Sequence, residues 1–309
     1  MIARAIGVSV TTLMCRTMLS LMLALLAASG HSAVGAQTPT VTSPVRQIDH
    51  IMIRTANPHE LYAFFAETLQ LPVAWPMTSP RAGVTTGGIG FGNVNVEAIE
   101  IPGQTDARPR LVGFALEPCR LDQSLSELNR RGITFGERRP LVSTAQDGSK
   151  SVLWTNVTLR QFSDSDSPAN ATLHVFLSEY SPTYVNVEER RARLRRQLVE
   201  AGGGPLGVVE IKELIIGATD LDTARRLWQR LLNPTPASTS NTWQIGNGPA
   251  IRLVSDSENR VQTLVIRVAS LERAQAFLRA KQLLGADREG QPTIDPSKIG
   301  GLHIRLAAK

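Results

Sequence analysis

Residues 48–54 of this 309-residue chain read Ile-Asp-His-Ile-Met-Ile-Arg, and residues 57–60 read Asn-Pro-His-Glu. The first stretch alternates and is rich in β-branched residues, which predicts a strand. The second predicts the start of a helix, because Asn57 is a good cap and Pro58 fits the first helical position. The buried stripe of that helix is then expected at Leu61, Phe64, Phe65 and Leu69.

The same order, a strand followed by a helix and further strands, returns three more times. The later units begin at Arg110, Val209 and Val261. One such unit exposes an apolar sheet face and cannot stand alone, so the repetition decides the architecture. We therefore expect an α+β fold of four βαβββ units in two pairs, each pair bent around a ligand-sized cleft. The glycine-rich residues 87–92 are expected to form a turn or a mobile lip beside the first cleft.

The amino terminus has the pattern of a secretory signal peptide. Arg4 and Arg16 are the only Lys, Arg, Asp or Glu residues before Arg46, and residues 19–28 form an apolar run. A run of about ten residues suits a signal-peptide core and is short for a membrane-spanning helix. We expect cleavage after Ala36, a flexible tether over residues 37–46, and export to the periplasm or the cell exterior.

The remaining chain is expected to be a soluble globular protein without stable membrane association. The sequence is 42% hydrophobic and 19% charged, which is ordinary for globular domains, and its net charge of +6 is a small excess. Residues 187–204 are predicted to be a linker that begins as a solvated helix. Its arginines are accompanied by acids and not by aromatic residues, so they do not indicate a nucleic-acid partner.

Three stretches of the first unit resemble the vicinal oxygen chelate superfamily, and within it the glyoxalase-like domain proteins. They are Ile-Asp-His-Ile at 48–51, Phe-Phe-Ala-Glu-Thr-Leu-Gln-Leu-Pro at 64–72, and Gly-Asn-Val-Asn-Val-Glu at 92–97. The segment Val-Phe-Leu-Ser-Glu-Tyr-Ser-Pro at 175–182 resembles the end of such a domain. The resemblance implies one glyoxalase-like domain over residues 47–186 and a second, degenerate one over residues 205–309.

The resemblance also implies a divalent metal that neighbouring oxygens of a small substrate would chelate. Carried over by position, the metal ligands are His50, Glu97 and Glu179, and Glu179 also takes the role of catalytic base. One imidazole and two carboxylates suit Fe(II), Mn(II), Ni(II) or Zn(II). In the second pair of units, Glu213 stands at the position of His50 and Arg252 at that of Glu97. An arginine opposes a cation there, so we expect no metal in that pair.

Each of these residues has a simpler interpretation. His50 is also compatible with a half-buried core histidine, and Glu179 with a solvated acid at a strand end. Glu100 competes with Glu97, because an odd offset places the two carboxylates on opposite faces of the strand. We favour Glu97.

Two functions follow from these alternatives. The first is a metal-dependent lyase, isomerase or dioxygenase that acts on a small oxygen-rich substrate. The second is a binding or sequestration protein that keeps the cleft without the metal chemistry. The oligomeric state is not predicted.

Overall fold

The computed structural model describes residues 43–232 and 240–309. The predicted signal peptide and most of the predicted tether lie outside the described residues. The last part of that tether belongs to the fold, since the first strand, β1, spans Val45–Arg54. Within the described ranges, no helix is both long enough and apolar enough to cross a membrane.

Eight strands from the first part of the chain form one curled sheet. After β1 they are β2 (Val73–Arg81), β3 (Val84–Gly90), β4 (Asn95–Glu100), β5 (Arg110–Pro118), β6 (Arg139–Thr144), β7 (Lys150–Thr158) and β8 (His174–Tyr180). Their order across the sheet is β2-β3-β4-β1-β5-β8-β7-β6. The central strand β1 is parallel to β4 and antiparallel to β5.

Six strands from the described residues of the second part form the other sheet. They are β9 (Val208–Ala218), β10 (Thr242–Gln244), β11 (Ala250–Ser255), β12 (Arg260–Val268), β13 (Thr293–Ile294) and β14 (Ile304–Ala308). Their order is β10-β11-β9-β12-β14-β13. Strand β9 is parallel to β11 and antiparallel to β12, which repeats the pairing of β1.

In the described part of the chain, five α-helices connect or flank these strands. They are α1 (Pro58–Ala63), α2 (Leu121–Arg130), α3 (Val187–Glu200), α4 (Leu221–Leu232) and α5 (Leu271–Ala280). Helix α1 begins as predicted, because the side chain of Asn57 accepts a hydrogen bond from the backbone of Glu60. It continues into a π-helical turn over Phe64–Thr68.

The predicted α+β fold of paired units is confirmed. The first two units each have four strands around one helix, whereas the third and fourth show three strands each in the described residues. One apolar core lies on the helix-bearing sides of both sheets. There the ring of Phe114, from β5, stacks on Trp228, from α4, at a centroid distance of 6.0 Å. Both halves of the chain therefore contribute side chains to the same core.

The other side of each sheet is concave and carries its own small apolar cluster. In the first sheet this concave face holds Met52, Val112, Ala115 and Phe176. In the second sheet it holds Ile215, Val265 and Ala307. Side chains on these two faces form the candidate sites.

Candidate functional site

Two of the predicted ligands meet on the concave face of the first sheet. Strand pairing places Glu97 opposite Met52, two residues beyond His50. The Nε2 atom of His50 lies 3.4 Å from Oε2 of Glu97. Both residues are buried, and the hydroxyl of Thr86 donates a hydrogen bond of 2.5 Å to Oε1 of Glu97. Glu100 has no such contact with His50, in keeping with the opposite strand face expected for it.

A β-bulge brings an unpredicted carboxylate to the same place. Ile48 and Ile51 are both fully buried in the main core, although residues three apart in a regular strand point to opposite faces. The register of β1 against β5 shifts between Ile48 and His50, which accommodates one extra residue, Asp49. The bulge lets the side chain of Asp49 reach the site beside His50. Strict alternation along the strand would instead place Asp49 on the core side of the sheet.

Asp49 is the centre of a buried hydrogen-bond network. Its Oδ2 atom lies 2.8 Å from Nδ1 of His50 and accepts a hydrogen bond of 3.1 Å from the hydroxyl of Tyr180. Its Oδ1 atom accepts a hydrogen bond of 2.8 Å from Nη2 of Arg190. Both oxygens of this carboxylate are therefore satisfied by side chains from three different elements.

The network shifts the pKa values of its members. Burial alone would raise the pKa of Asp49, but the hydrogen bond from His50 and the charge of Arg190 hold it well below the usual range. Burial alone would lower the pKa of His50, but hydrogen bonding to Asp49 and the charge of Glu97 raise it above its ordinary value. His50 therefore holds a proton between two carboxylates more readily than a free histidine does.

Arg190 closes the site from helix α3. Leu194 and Leu198 are buried on this helix, and Arg190 precedes them by four and eight residues, so all three share one helical face. The side chain of Arg190 is only 10% exposed. The guanidinium carbon lies 5.0 Å from the ring centre of Tyr180 and 5.9 Å from that of Trp75, within cation–π range. The helix predicted as a solvated linker thus packs one face onto the first sheet.

The glycine-rich stretch is not the predicted turn or lip, because most of it forms strand β3. Gly88 explains why glycine is needed there. A Cβ atom at this position would lie 2.4 Å from the ring of Trp75. The missing side chain lets the indole lie over the strand, with its centroid 6.2 Å from that of His50. Trp75 therefore forms one wall of the site.

Glu179 is not brought to this site. Its Oε1 atom accepts a hydrogen bond of 2.8 Å from the backbone N–H of Leu121, at the first turn of α2. The neighbouring residue Tyr180 contacts Asp49, and successive strand residues point to opposite faces. The predicted roles of Glu179 as metal ligand and base remain predictions without a contact that supports them.

Strand register shows which residue of the second unit, in place of Glu179, corresponds to Glu97. In the first unit His50 pairs with Asn95, and the predicted ligand Glu97 lies two residues after Asn95. In the second unit Gly113, at the position that corresponds to His50, pairs with His174. Two residues after His174 is Phe176, whose ring centroid lies 5.8 Å from that of His50.

These donors do not fit the implied metal site. A catalytic metal of this kind usually has three protein ligands, and only His50 and Glu97 face each other here. Throughout residues 43–232 and 240–309, no group of three His, Cys, Asp or Glu side chains is placed to hold a metal ion. The guanidinium of Arg190 supplies positive charge beside the two acids instead.

The corresponding position in the second sheet holds a salt bridge. Glu213 pairs with Ala250 and Ile215 with Arg252, which repeats the register of His50 and Glu97. The Nε atom of Arg252 lies 3.0 Å from Oε1 of Glu213. The sequence correctly aligned these two residues with His50 and Glu97, and the structure adds that they neutralise each other.

Comparison with known proteins supports the fold and not a particular activity. No family model and no curated protein matches the chain. Among solved structures, it is similar to homoprotocatechuate 2,3-dioxygenase from Brevibacterium fuscum in complex with 3,4-dihydroxyphenylacetate, with a TM-score of 0.51 and 11% identity over 87% of this chain and 82% of that one.

Two further solved structures show the same likeness. The 2,3-dioxygenase LapB from Pseudomonas sp. KL28 matches with a TM-score of 0.50 and 13% identity, covering 86% of this chain and 93% of that one. A hypothetical protein from Staphylococcus aureus matches with a TM-score of 0.52 and 9% identity, covering 85% and 99%. The chain therefore has a fold similar to that of 2,3-dioxygenases, consistent with the expected paired domains.

Arg190 is the residue whose removal should disturb the site most. Arg190→Gln leaves the buried carboxylate of Asp49 without its cation, so we expect the free energy of unfolding to fall by about 3–5 kcal/mol. Urea unfolding measures this loss. Arg195→Gln, on an exposed position of the same helix, is the control and should change it by no more than about 0.5 kcal/mol. Equal, small effects of both substitutions would show that the network contributes little.

Proposed function

We propose that this chain is an exported protein that binds a small molecule on a dioxygenase-like fold without metal catalysis. The fold supplies two concave sheet faces, which are places where proteins commonly bind small ligands. The first of these faces carries a closed network of ionisable side chains rather than a complete set of metal ligands. This proposal is the second of the two functions expected from the sequence.

The balance of charge around Asp49 carries the proposal. Two buried carboxylates in proximity require a cation or a shared proton. Here Asp49 and Glu97 are accompanied by the guanidinium of Arg190 and by His50, whose pKa is raised. With His50 protonated, two negative and two positive charges meet, so a divalent metal is not needed to stabilise the acids.

One observation favours the other candidate, a metal-dependent lyase, isomerase or dioxygenase. Histidine ligands commonly bond a carboxylate through one ring nitrogen while the other faces the metal. His50 has this arrangement, since Nδ1 contacts Asp49 and Nε2 faces Glu97. The arrangement offers a metal two protein side chains, one fewer than such enzymes usually provide.

Metal binding separates the two candidates. Purified protein is dialysed against Fe(II), Mn(II), Ni(II) or Zn(II), and its metal content and thermal stability are measured. We expect no stoichiometric metal that depends on His50, because Arg190 and an imidazole with a raised pKa already compensate the acids. His50→Ala should then leave metal content unchanged.

The opposite result has a clear form. Stoichiometric metal that stabilises the wild-type protein, is lost in His50→Ala and is retained in Glu100→Ala would contradict the proposal. Glu100 is the matched control because it lies on the same strand and faces away from His50. That outcome would favour the metal-dependent enzyme.

Export is the other part of the proposal, and the amino-terminal pattern supports it. Arg4 and Arg16 precede an apolar run that ends in small residues before Ala36. Protein recovered from the periplasm or medium of an exporting bacterial host should begin at Gln37, as amino-terminal sequencing would show. Recovery of the full-length chain from the cytoplasm alone would contradict export.

A further inference from the structure

The concave side of the second sheet opens into a cavity of about 520 Å³. Strands β12 and β14 form one wall, and the start of β5 from the first sheet forms the opposite wall. Sites for small molecules usually have volumes of about 300–1,000 Å³, so this cavity has room for one. It is far larger than the residual space of about 10 Å³ beside Asp49 and Arg190.

The side chains that line this cavity are strongly basic. Only one acid, Glu258, is among them, whereas the arginines are Arg108, Arg110, Arg260, Arg288 and Arg305. Three further acids pair with some of these arginines without lining the cavity: Asp106, Asp256 and Glu289. Arg288 has no acidic partner among the residues that the structure describes. The lining itself therefore carries five guanidinium groups and one carboxylate, and four of the five arginines also have an acidic neighbour.

His303 reports the sign of the electrostatic potential. It lines the cavity, and its pKa is lowered by partial burial and then by the charges of Arg288, Arg260 and Arg305. No carboxylate is among the groups that shift it. The charges that act on this imidazole are those of arginines, and such a group of cations favours an anion nearby.

Strand register places one of these arginines, Arg305, at the position that corresponds to Phe176 in the first sheet. In the first sheet Ala115 pairs with Phe176, and in the second Val265 pairs with Arg305. Both Ala115 and Val265 lie opposite the first-strand ligand position in their sheets. Arg305 thus stands where Phe176 stands in the first sheet, on the concave face.

Arg305 already holds a carboxylate that a ligand can replace. Its side chain is 12% exposed, and its Nη1 atom lies 2.6 Å from Oε2 of Glu289. The hydrogen bond and the charge of Arg305 hold the pKa of Glu289 below its ordinary value. Glu289 is 65% exposed and adopts a left-handed backbone conformation with φ of 53°, which is unfavourable for a residue other than glycine.

We infer that this cavity binds a small molecule with two or more negative charges, a polycarboxylate or a phosphate compound, through Arg305, Arg288 and Arg260. The ligand anion takes the place of the Glu289 carboxylate on Arg305. Thr263 lines the same wall and offers a neutral hydroxyl donor, whereas the amide of Gln262 donates to Asp256. The inference names a ligand class for the proposed binding function and rests on that function, but it uses a site separate from His50.

Calorimetric titration of the full chain with citrate and with pyrophosphate tests this inference. Acetate, with a single charge, serves as the weak-binding comparison. We expect saturable binding of at least one polyanion, and which one binds separates a polycarboxylate from a phosphate ligand. Arg288→Gln should weaken it about tenfold or more, the effect of losing one charge-assisted hydrogen bond.

Two further variants keep the test specific. Glu289→Gln should bind the anion about two- to fivefold more tightly, because it removes an exposed competing carboxylate. Arg279→Gln, on an exposed position of α5 that does not line the cavity, should bind as the wild type does. This variant controls for net charge.

The overturning results are equally definite. The inference fails if neither polyanion binds, or if Arg288→Gln and Arg279→Gln reduce binding equally. Metal bound at His50 would contradict the proposed function and leave these titrations unchanged, so the two failures are distinguishable.

Discussion

The buried carboxylate of Asp49 is the constraint on which the first site depends. A charge out of contact with water is tolerated only when it is paired and hydrogen-bonded. Asp49 meets this requirement with partners from its own strand, from β8 and from α3. Helix α3 is therefore held against the sheet by the ion pair between Arg190 and Asp49 as well as by the buried leucines of the helix.

The two concave faces show how one fold supports different chemistry. In the first sheet the acids Asp49 and Glu97 are accompanied by cationic groups from the same chain, Arg190 and His50. In the second sheet Arg252 corresponds to Glu97 and pairs with Glu213, while other arginines, among them Arg305, line a cavity. Identities of 9–13% to the similar structures leave ample room for this change of charge while the strand pattern persists.

The strands and helix starts were predictable because their signals are local. Alternation in β1 and the Asn57–Glu60 cap depend on residues a few positions apart. The contact between His50 and Glu97 followed from the resemblance and from strand-face counting. By contrast, the bulge at Asp49 depends on pairing with β5, which a single strand's sequence does not display. Counting strict alternation from His50 would place Asp49 on the other face of the sheet.

Arg190 and Glu179 show two other limits. The spacing of Arg190 with Leu194 and Leu198 was visible, but its significance depends on what the helix packs against. Glu179 was aligned with Glu97 by its place near a strand end. Strand register instead aligns Phe176 with Glu97 and places Glu179 three residues further on. Three is an odd number, so the carboxylate points to the other face.

The central claim is that the charges on the concave face of the first sheet are balanced without a metal, whereas the cavity beside the second sheet binds anions. Anomalous diffraction from crystals of the wild-type protein soaked in zinc and selenate would test both halves in one measurement. The account predicts a selenium peak beside Arg305 and Arg288 and no zinc peak between His50 and Glu97. A zinc peak within bonding distance of both His50 Nε2 and Glu97 Oε2 would contradict it.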